Sequence, residues 1–258
     1  MPARVYLFVD NSNIFISAKD VAFSREGRPA RDSVRLQFEN LLRLALAGRD
    51  MAKAFVVGSI PPEQRTVWDR LTSATGIVPE LYERGGLSGG EQGLDQCLQV
   101  HMLRAISDNT EPQIAVLLTG DGAGYDDGVG FHADMARMHA AGWGIEVLSW
   151  QQSCRRALRD WATAHGCFIS LDDHYDSVTF LEGGRRSSPV NLSARPTATV
   201  RPGPSQQAEA KARQETTGEI ESLKRELEEV RSRRAEKEKK RERYRKKMER
   251  RNRRNAGA

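Results

Sequence analysis

Two five-residue apolar runs, Val5-Tyr6-Leu7-Phe8-Val9 and Ile114-Ala115-Val116-Leu117-Leu118, constrain the fold more than any other feature of the chain. Neither alternates with polar residues, so both suit strands buried on both faces, as in a parallel sheet covered by helices. The first run stops on Asp10-Asn11-Ser12-Asn13 and the second leads into Thr119-Gly120-Asp121-Gly122. In open α/β sheets the crevice beyond the carboxyl ends of the strands is the usual binding edge, which makes Asp10 a functional candidate. The competing reading is an Asx-turn or helix N-cap, since Asp10, Ser12 and Asn13 can each bond nearby backbone N–H groups.

Between these runs, strand-like and helix-like segments alternate. A short helix is expected from 14–20, then a polar loop over 24–32. Ser33 is expected to cap a second helix carrying Leu36, Leu41 and Leu44 and ended by Gly48. Strands are expected at 52–58, 77–82, 114–119, 144–149 and 167–171. The helices between them are expected after Pro61-Pro62, at about 91–106, at 131–141 and at 153–164. Such alternation predicts an α/β fold: a three-layer α/β/α sandwich whose central sheet is mainly parallel, in one domain over residues 1–182.

Charge divides the rest of the chain. Residues 219–258 hold 17 basic and 9 acidic side chains, net +8, while residues 1–218 hold 23 and 26, net −3. Residues 183–218 are rich in Pro, Ser, Ala, Thr, Gln and Arg and poor in large apolar side chains, the composition of a disordered linker. Ile220, Leu223, Leu227 and Val230 form a short heptad seam, so 219–231 is a candidate for self-association or a protein partner. Beyond it a basic helical tail presents Lys239, Lys240, Arg241, Arg243, Arg245, Lys246 and Lys247. With Tyr244 its single aromatic residue, the tail suits non-specific phosphate contact with a nucleic acid better than base stacking. A solubilising or ribosome-associating tail is the other reading. No apolar run reaches about 18 residues and no charged, apolar leader opens the sequence, so no membrane partner and a cytoplasmic location are expected.

Cys97, Cys154 and Cys167 are odd in number and lack Cys-x-x-Cys pairing, so buried thiols are expected, with neither disulfides nor a zinc site. The histidines show no metal-ligand spacing, and His101 reads as a satisfied residue near a helix's apolar face.

Acids from separate segments should meet on one edge, because a crossover helix leaves the carboxyl end of one parallel strand. Asp10 ends the first strand, Asp95 falls near the start of the helix after the third, and Asp121 follows the fourth. Asp126 and Asp127 lie in the next loop, with His132 and Asp134 at the following helix start. Clustered carboxylates repel unless a cation compensates, and all-oxygen ligation suits Mg2+ or Mn2+. Such an ion lowers the pKa of bound water and stabilises charge on a scissile phosphate, so phosphodiester hydrolysis is the expected chemistry.

Val9-Asp10-Asn11-Ser12-Asn13-Ile14, Gly93-Leu94-Asp95 and Leu118-Thr119-Gly120-Asp121 resemble, in this order, the motifs of the NYN domain, a branch of the PIN-like nucleases that includes the LabA-like proteins. The resemblance spans about residues 4–182. It implies a PIN-like sandwich and a Mg2+/Mn2+-dependent ribonuclease acting on RNA, with Asp10, Asn13, Asp95 and Asp121 at the acidic site. One departure stands out: many relatives carry a second acid two residues after the fourth-strand Asp, where this chain has Ala123, leaving Asp126 or Asp127 as a replacement metal ligand. A PIN-like module that binds RNA or a regulatory protein partner with weak or no catalysis is the alternative. Gly128-Val129-Gly130-Phe131-His132-Ala133 also matches a dinucleotide fingerprint, but it begins well past its strand and beside acids that would repel a pyrophosphate.

Overall fold

Strand β1 (Val5–Asp10) is buried along its whole length. Val5, Leu7 and Val9 enter one apolar cluster and Tyr6 and Phe8 the other, which is why the run shows no polar alternation. The computed structural model describes residues 2–60, 65–83, 90–120 and 129–203, of which 83 and 90–95 are described by their backbone alone. Asp121, Asp126, Asp127, Ala123 and the whole of 204–258, including the seam at 219–231 and the basic residues from Lys239 to Lys247, lie outside the described residues.

Five further strands join β1 in one sheet: β3 (Met51–Ile60), β4 (Glu80–Glu83), β5 (Ile114–Leu118), β6 (Gly144–Ser149) and β7 (Cys167–Ser170). Their order is β4-β3-β1-β5-β6-β7, and every neighbouring pair is parallel. Helices cover both faces. On one lie α1 (Asn11–Glu26), α3 (Phe38–Leu46) and α4 (Arg65–Thr75), through residues such as Ile14, Phe15, Leu44, Trp68 and Leu71. On the other lie α5 (Gly90–Asp108), α6 (Phe131–Ala140) and α7 (Arg156–His165), through Leu98, Met102, Met135, Met138 and Leu158. Leu98, Met102 and Ala105 recur at helical spacing and form the buried stripe of α5. The chain is thus a three-layer α/β/α sandwich, as its alternation predicts.

Local pattern failed where distant pairing decides. Helix α1 runs well past 20, and α2 (Arg28–Ser33) occupies the expected loop, with Pro29 in its first turn. Ser33 is therefore not the N-cap of a second helix but the last residue of α2, where its hydroxyl donates to the Pro29 carbonyl. Leu36 lies in a strand, β2 (Val34–Leu36), which pairs antiparallel with β8 (Thr179–Leu181). A one-turn 3-10 helix (Leu171–His174) and α8 (Tyr175–Val178) lead into β8.

The expected linker also begins too early. Residues 183–203 pack on the body, and the compact unit runs over Met1–Pro204 instead of stopping at 182. Val190 and Leu192 lie against the core, the Arg201 N–H donates to the Gly142 carbonyl, and Arg195 is buried. Glu146, fully buried in β6, accepts from Arg49 Nη1 and Nη2 at 2.6 and 2.8 Å, Arg195 Nη2 at 2.7 Å and the Ala198 N–H at 2.8 Å. Composition misses this segment because charge and backbone hydrogen bonds hold it rather than a run of large apolar side chains. Among the described residues no helix is long and apolar enough to cross a membrane.

Candidate active site

The sheet reverses its winding between β1 and β5. The chain leaves β1 into α1 on one face, and the helix after β5, α6, covers the other face. The carboxyl ends of these two adjacent strands therefore flank the topological switch point, where doubly wound sheets open a crevice. Val9 pairs with Leu118, so Asp10 and Thr119 continue side by side into that crevice.

Asp10 is both the last residue of β1 and the N-cap of α1. Its Oδ1 accepts the Asn13 backbone N–H at 3.1 Å and its Oδ2 accepts Asn13 Nδ2 at 2.5 Å. The capping and functional readings of Asp10 thus coincide in one side chain. The positive end of the α1 dipole favours the ionised carboxylate. With 2% of its surface exposed, Asp10 is held in one orientation by the first turn of the helix.

Three other strands fix that first turn. The Ser12 hydroxyl meets Ser59 Oγ at 3.2 Å and accepts the Ser59 N–H at 3.2 Å, tying the turn to β3. Gly120, just past β5, passes so close to the Asn13 backbone that a side chain has no room there. Trp150, following β6, donates its indole N–H to the Ile14 carbonyl at 2.9 Å. Ser149 Oγ supports the end of β5 by bonding the Thr119 and Gly120 carbonyls at 2.6 and 3.2 Å.

Four of the five unpartnered buried side-chain atoms among the described residues lie in segments that follow β1 or β5, the fifth being Trp68 Nε1 on α4. These four are Asn11 Nδ2 and Oδ1, Thr119 Oγ1 and Asp134 Oδ2. Native folds leave few such groups, and those they keep call for an explanation. Asn11 is the first residue of α1, and its side-chain amide finds no hydrogen-bond partner there. It borders an apolar cavity of about 30 Å³ among Leu7, Val9, Leu41, Val56, Leu71 and Leu118.

Asp134, in the first turn of α6, is 2% exposed and pairs with Arg137 at 2.6 Å. Burial pushes its carboxyl above the ordinary carboxylate range, and the Arg137 guanidinium opposes that shift only in part. Its position in the sequence reads only as a helix-start acid, and its burial is a feature of how α6 packs.

The structure brings Asp10 and Asn13 together. The backbone of Asp95 lies in the second turn of α5, one turn before the buried Leu98, and its side chain is outside the description. Asp121 and Asp126, which complete the expected acidic set, are outside it as well.

No family model matches the chain, and no curated protein matches it. Among solved structures, a protein of unknown function from Vibrio parahaemolyticus aligns with a TM-score of 0.46 at 13% identity, over 67% of this chain and 94% of that one.

Proposed function

We propose that the chain is a PIN-like, NYN-type ribonuclease that hydrolyses phosphodiester bonds with Mg2+ or Mn2+, with cytoplasmic RNA as its substrate. The observation that carries this reading is Asp10 at the switch point, where the Asn13 N–H and side-chain amide hold its carboxylate in one orientation at the N-terminus of α1. These hard oxygens fit a Mg2+-type cation, which takes one or two carboxylates and keeps its waters. Asp10 would hold it, joined by Asp95, Asp121 and Asp126. When bound, the ion supplies a water of lowered pKa and offsets charge on the phosphate. The chain's own part is positioning. Asn13 fixes the carboxylate, and Ser12, Gly120 and Trp150 fix the turn that carries it.

The strand order agrees with that of dinucleotide-binding sheets, yet the turn after β1 argues against such a ligand. Where a dinucleotide fold places glycines against a pyrophosphate, this chain places a buried carboxylate at the helix N-terminus. One observation favours a non-cleaving RNA-binding or protein-interaction module: Asp10 is 2% exposed and already serves as a cap, which by itself explains an Asp at that position.

Incubation of the full chain with single-stranded RNA and Mn2+ or Mg2+ separates the two. The nuclease yields products, and Asp10→Asn abolishes cleavage while RNA retention survives. Unchanged cleavage by Asp10→Asn overturns the assignment, and metal-independent retention without products supports the binding module.

A further inference from the structure

Edge strand β4 and helix α5 bring three chemically different donors together away from Asp10. Glu80 Oε1 lies 2.7 Å from His101 Nε2, and Cys97 Sγ lies 3.0 Å from Glu80 Oε2. The oxygen, sulfur and nitrogen all fall within 4.8 Å of one another. Cys97 and His101 are four residues apart on α5, the spacing that puts two side chains on one helix face.

The surroundings hold these groups in place. The His101 ring stacks on Phe55 with centroids 4.1 Å apart, and Phe55 stacks on Phe8 of the central strand at 5.5 Å. Tyr82, two residues along β4 from Glu80, neighbours Cys97. Glu80 is 45% exposed at its side chain, so one side of the cluster faces solvent.

We propose that Glu80, Cys97 and His101 form a three-ligand site for Zn2+, with a solvent molecule as the fourth ligand. A thiolate, an imidazole and a carboxylate are the donors Zn2+ takes in tetrahedral sites. Mg2+ prefers oxygen alone, so this site is chemically distinct from the one proposed at Asp10 and stands without it. Binding releases the Cys97 thiol proton to solvent and leaves Cys97 and Glu80 as two anions against a dication. Tetrahedral ligands at Zn2+ bond lengths stand about 3.3–3.7 Å apart. The 2.7 and 3.0 Å contacts therefore open by less than about 1 Å, within reach of a flexible glutamate.

A nucleophilic Cys-His-Glu arrangement fits less well, because the thiol donates to Glu80 and not to His101. The ion would tie α5 to the sheet edge two residues beyond Asp95.

The test uses the full chain, stripped with a chelator and titrated with Co2+ and then Zn2+. One Co2+ per chain should bind with thiolate-to-cobalt charge-transfer absorption, which Zn2+ abolishes by displacement and excess Mg2+ leaves intact. Cys97→Ser should remove the absorption and His101→Ala should weaken binding at least about tenfold. Asp10→Asn and Cys167→Ser should change neither, which separates this site from the nuclease reading. Circular dichroism confirms that the Cys97→Ser chain is folded, since Ser retains a donor for Glu80. Absence of the band in the wild-type chain, or its persistence in folded Cys97→Ser, overturns the proposal.

Discussion

Gly120 lies against Asn13 so closely that a Cβ built on it would stand 2.3 Å from the Asn13 carbonyl oxygen and 2.7 Å from Ser17 Oγ. The first obstacle is backbone, which cannot swing aside, so β5 and α1 can approach this closely only with glycine there. Gly120→Ala should cost about 1–3 kcal/mol by overpacking, measured by denaturant unfolding. Because the displaced turn carries Asp10, cleavage should fall further than stability alone accounts for at temperatures where the variant is fully folded. Wild-type cleavage and stability would show that the contact is not needed.

Arg195 makes a second long-range attachment. Its side chain is fully buried against Glu146, and its Nε also donates to the Leu44 carbonyl at 2.9 Å. Removing one partner of a buried ion pair typically costs about 3–5 kcal/mol, because the remaining charge stays buried. Arg49 still meets Glu146 in Arg195→Ala, which puts the expected loss near the lower figure, about 3 kcal/mol. A fragment of residues 1–182 loses Arg195 and the Ala198 N–H together and should melt well below a 1–204 fragment. Equal melting temperatures would refute the structural role of residues 183–203.

That boundary shows what the sequence conveys and what it hides. Strands β1 and β5 were legible because burial on both faces writes itself into consecutive residues, and Asp10 was legible because it ends such a run. The β2–β8 pair was not, since Leu36 meets Thr179 only after the chain has crossed the whole sheet. Glu146 looks like a surface acid within an apolar strand until Arg49 and Arg195 arrive from distant segments. Cys97 and His101 carried no metal-ligand pattern that the sequence could show, because their third partner, Glu80, comes from a separate strand with no local signal of its neighbours. Asp134 gave only the mark of a helix-start acid, and its burial follows from how α6 packs.

Asn11 should be a site where stability is given up. Its amide is buried beside an apolar cavity with no partner among the described residues, an arrangement worth about 1–3 kcal/mol of lost stability. Asn11→Leu should therefore raise the unfolding free energy by about 1–2 kcal/mol. If the amide serves the site, RNA cleavage or retention should fall at the same time. A destabilised Asn11→Leu chain would mean that the amide is satisfied in solution, for instance by water in the cavity.

The tail prediction depends on charge density alone. If residues 219–258 bind phosphates, each neutralised phosphate steepens the fall of log affinity with log salt by about 0.7 on single-stranded RNA. A tail engaging about five phosphates contributes a slope of about −3.5, which deletion of 219–258 should remove. An unchanged slope after deletion would place RNA binding elsewhere.

Acid should loosen the face formed by α6 and α7. Burial lowers the pKa of His132, and the nearby His165 adds to the shift; burial lowers that of His139, helped by Arg201 and His165. Both histidines lie against Trp161, with ring centroids 5.1 and 5.8 Å away. With folded pKa values below the ordinary 6.5, the unfolded chain takes up protons first as pH falls. Their contribution to stability is complete above pH 6.5 and is lost as pH drops through the folded values. The melting temperature of the wild-type chain should fall between about pH 7 and pH 5 more steeply than that of a His132→Gln, His139→Gln double variant. Arg201 belongs to the segment that also carries Arg195, so a 1–182 fragment frees His139 from that repulsion. The His139 proton titration by NMR should then shift upward in the fragment, and an unmoved midpoint would remove Arg201 as a cause.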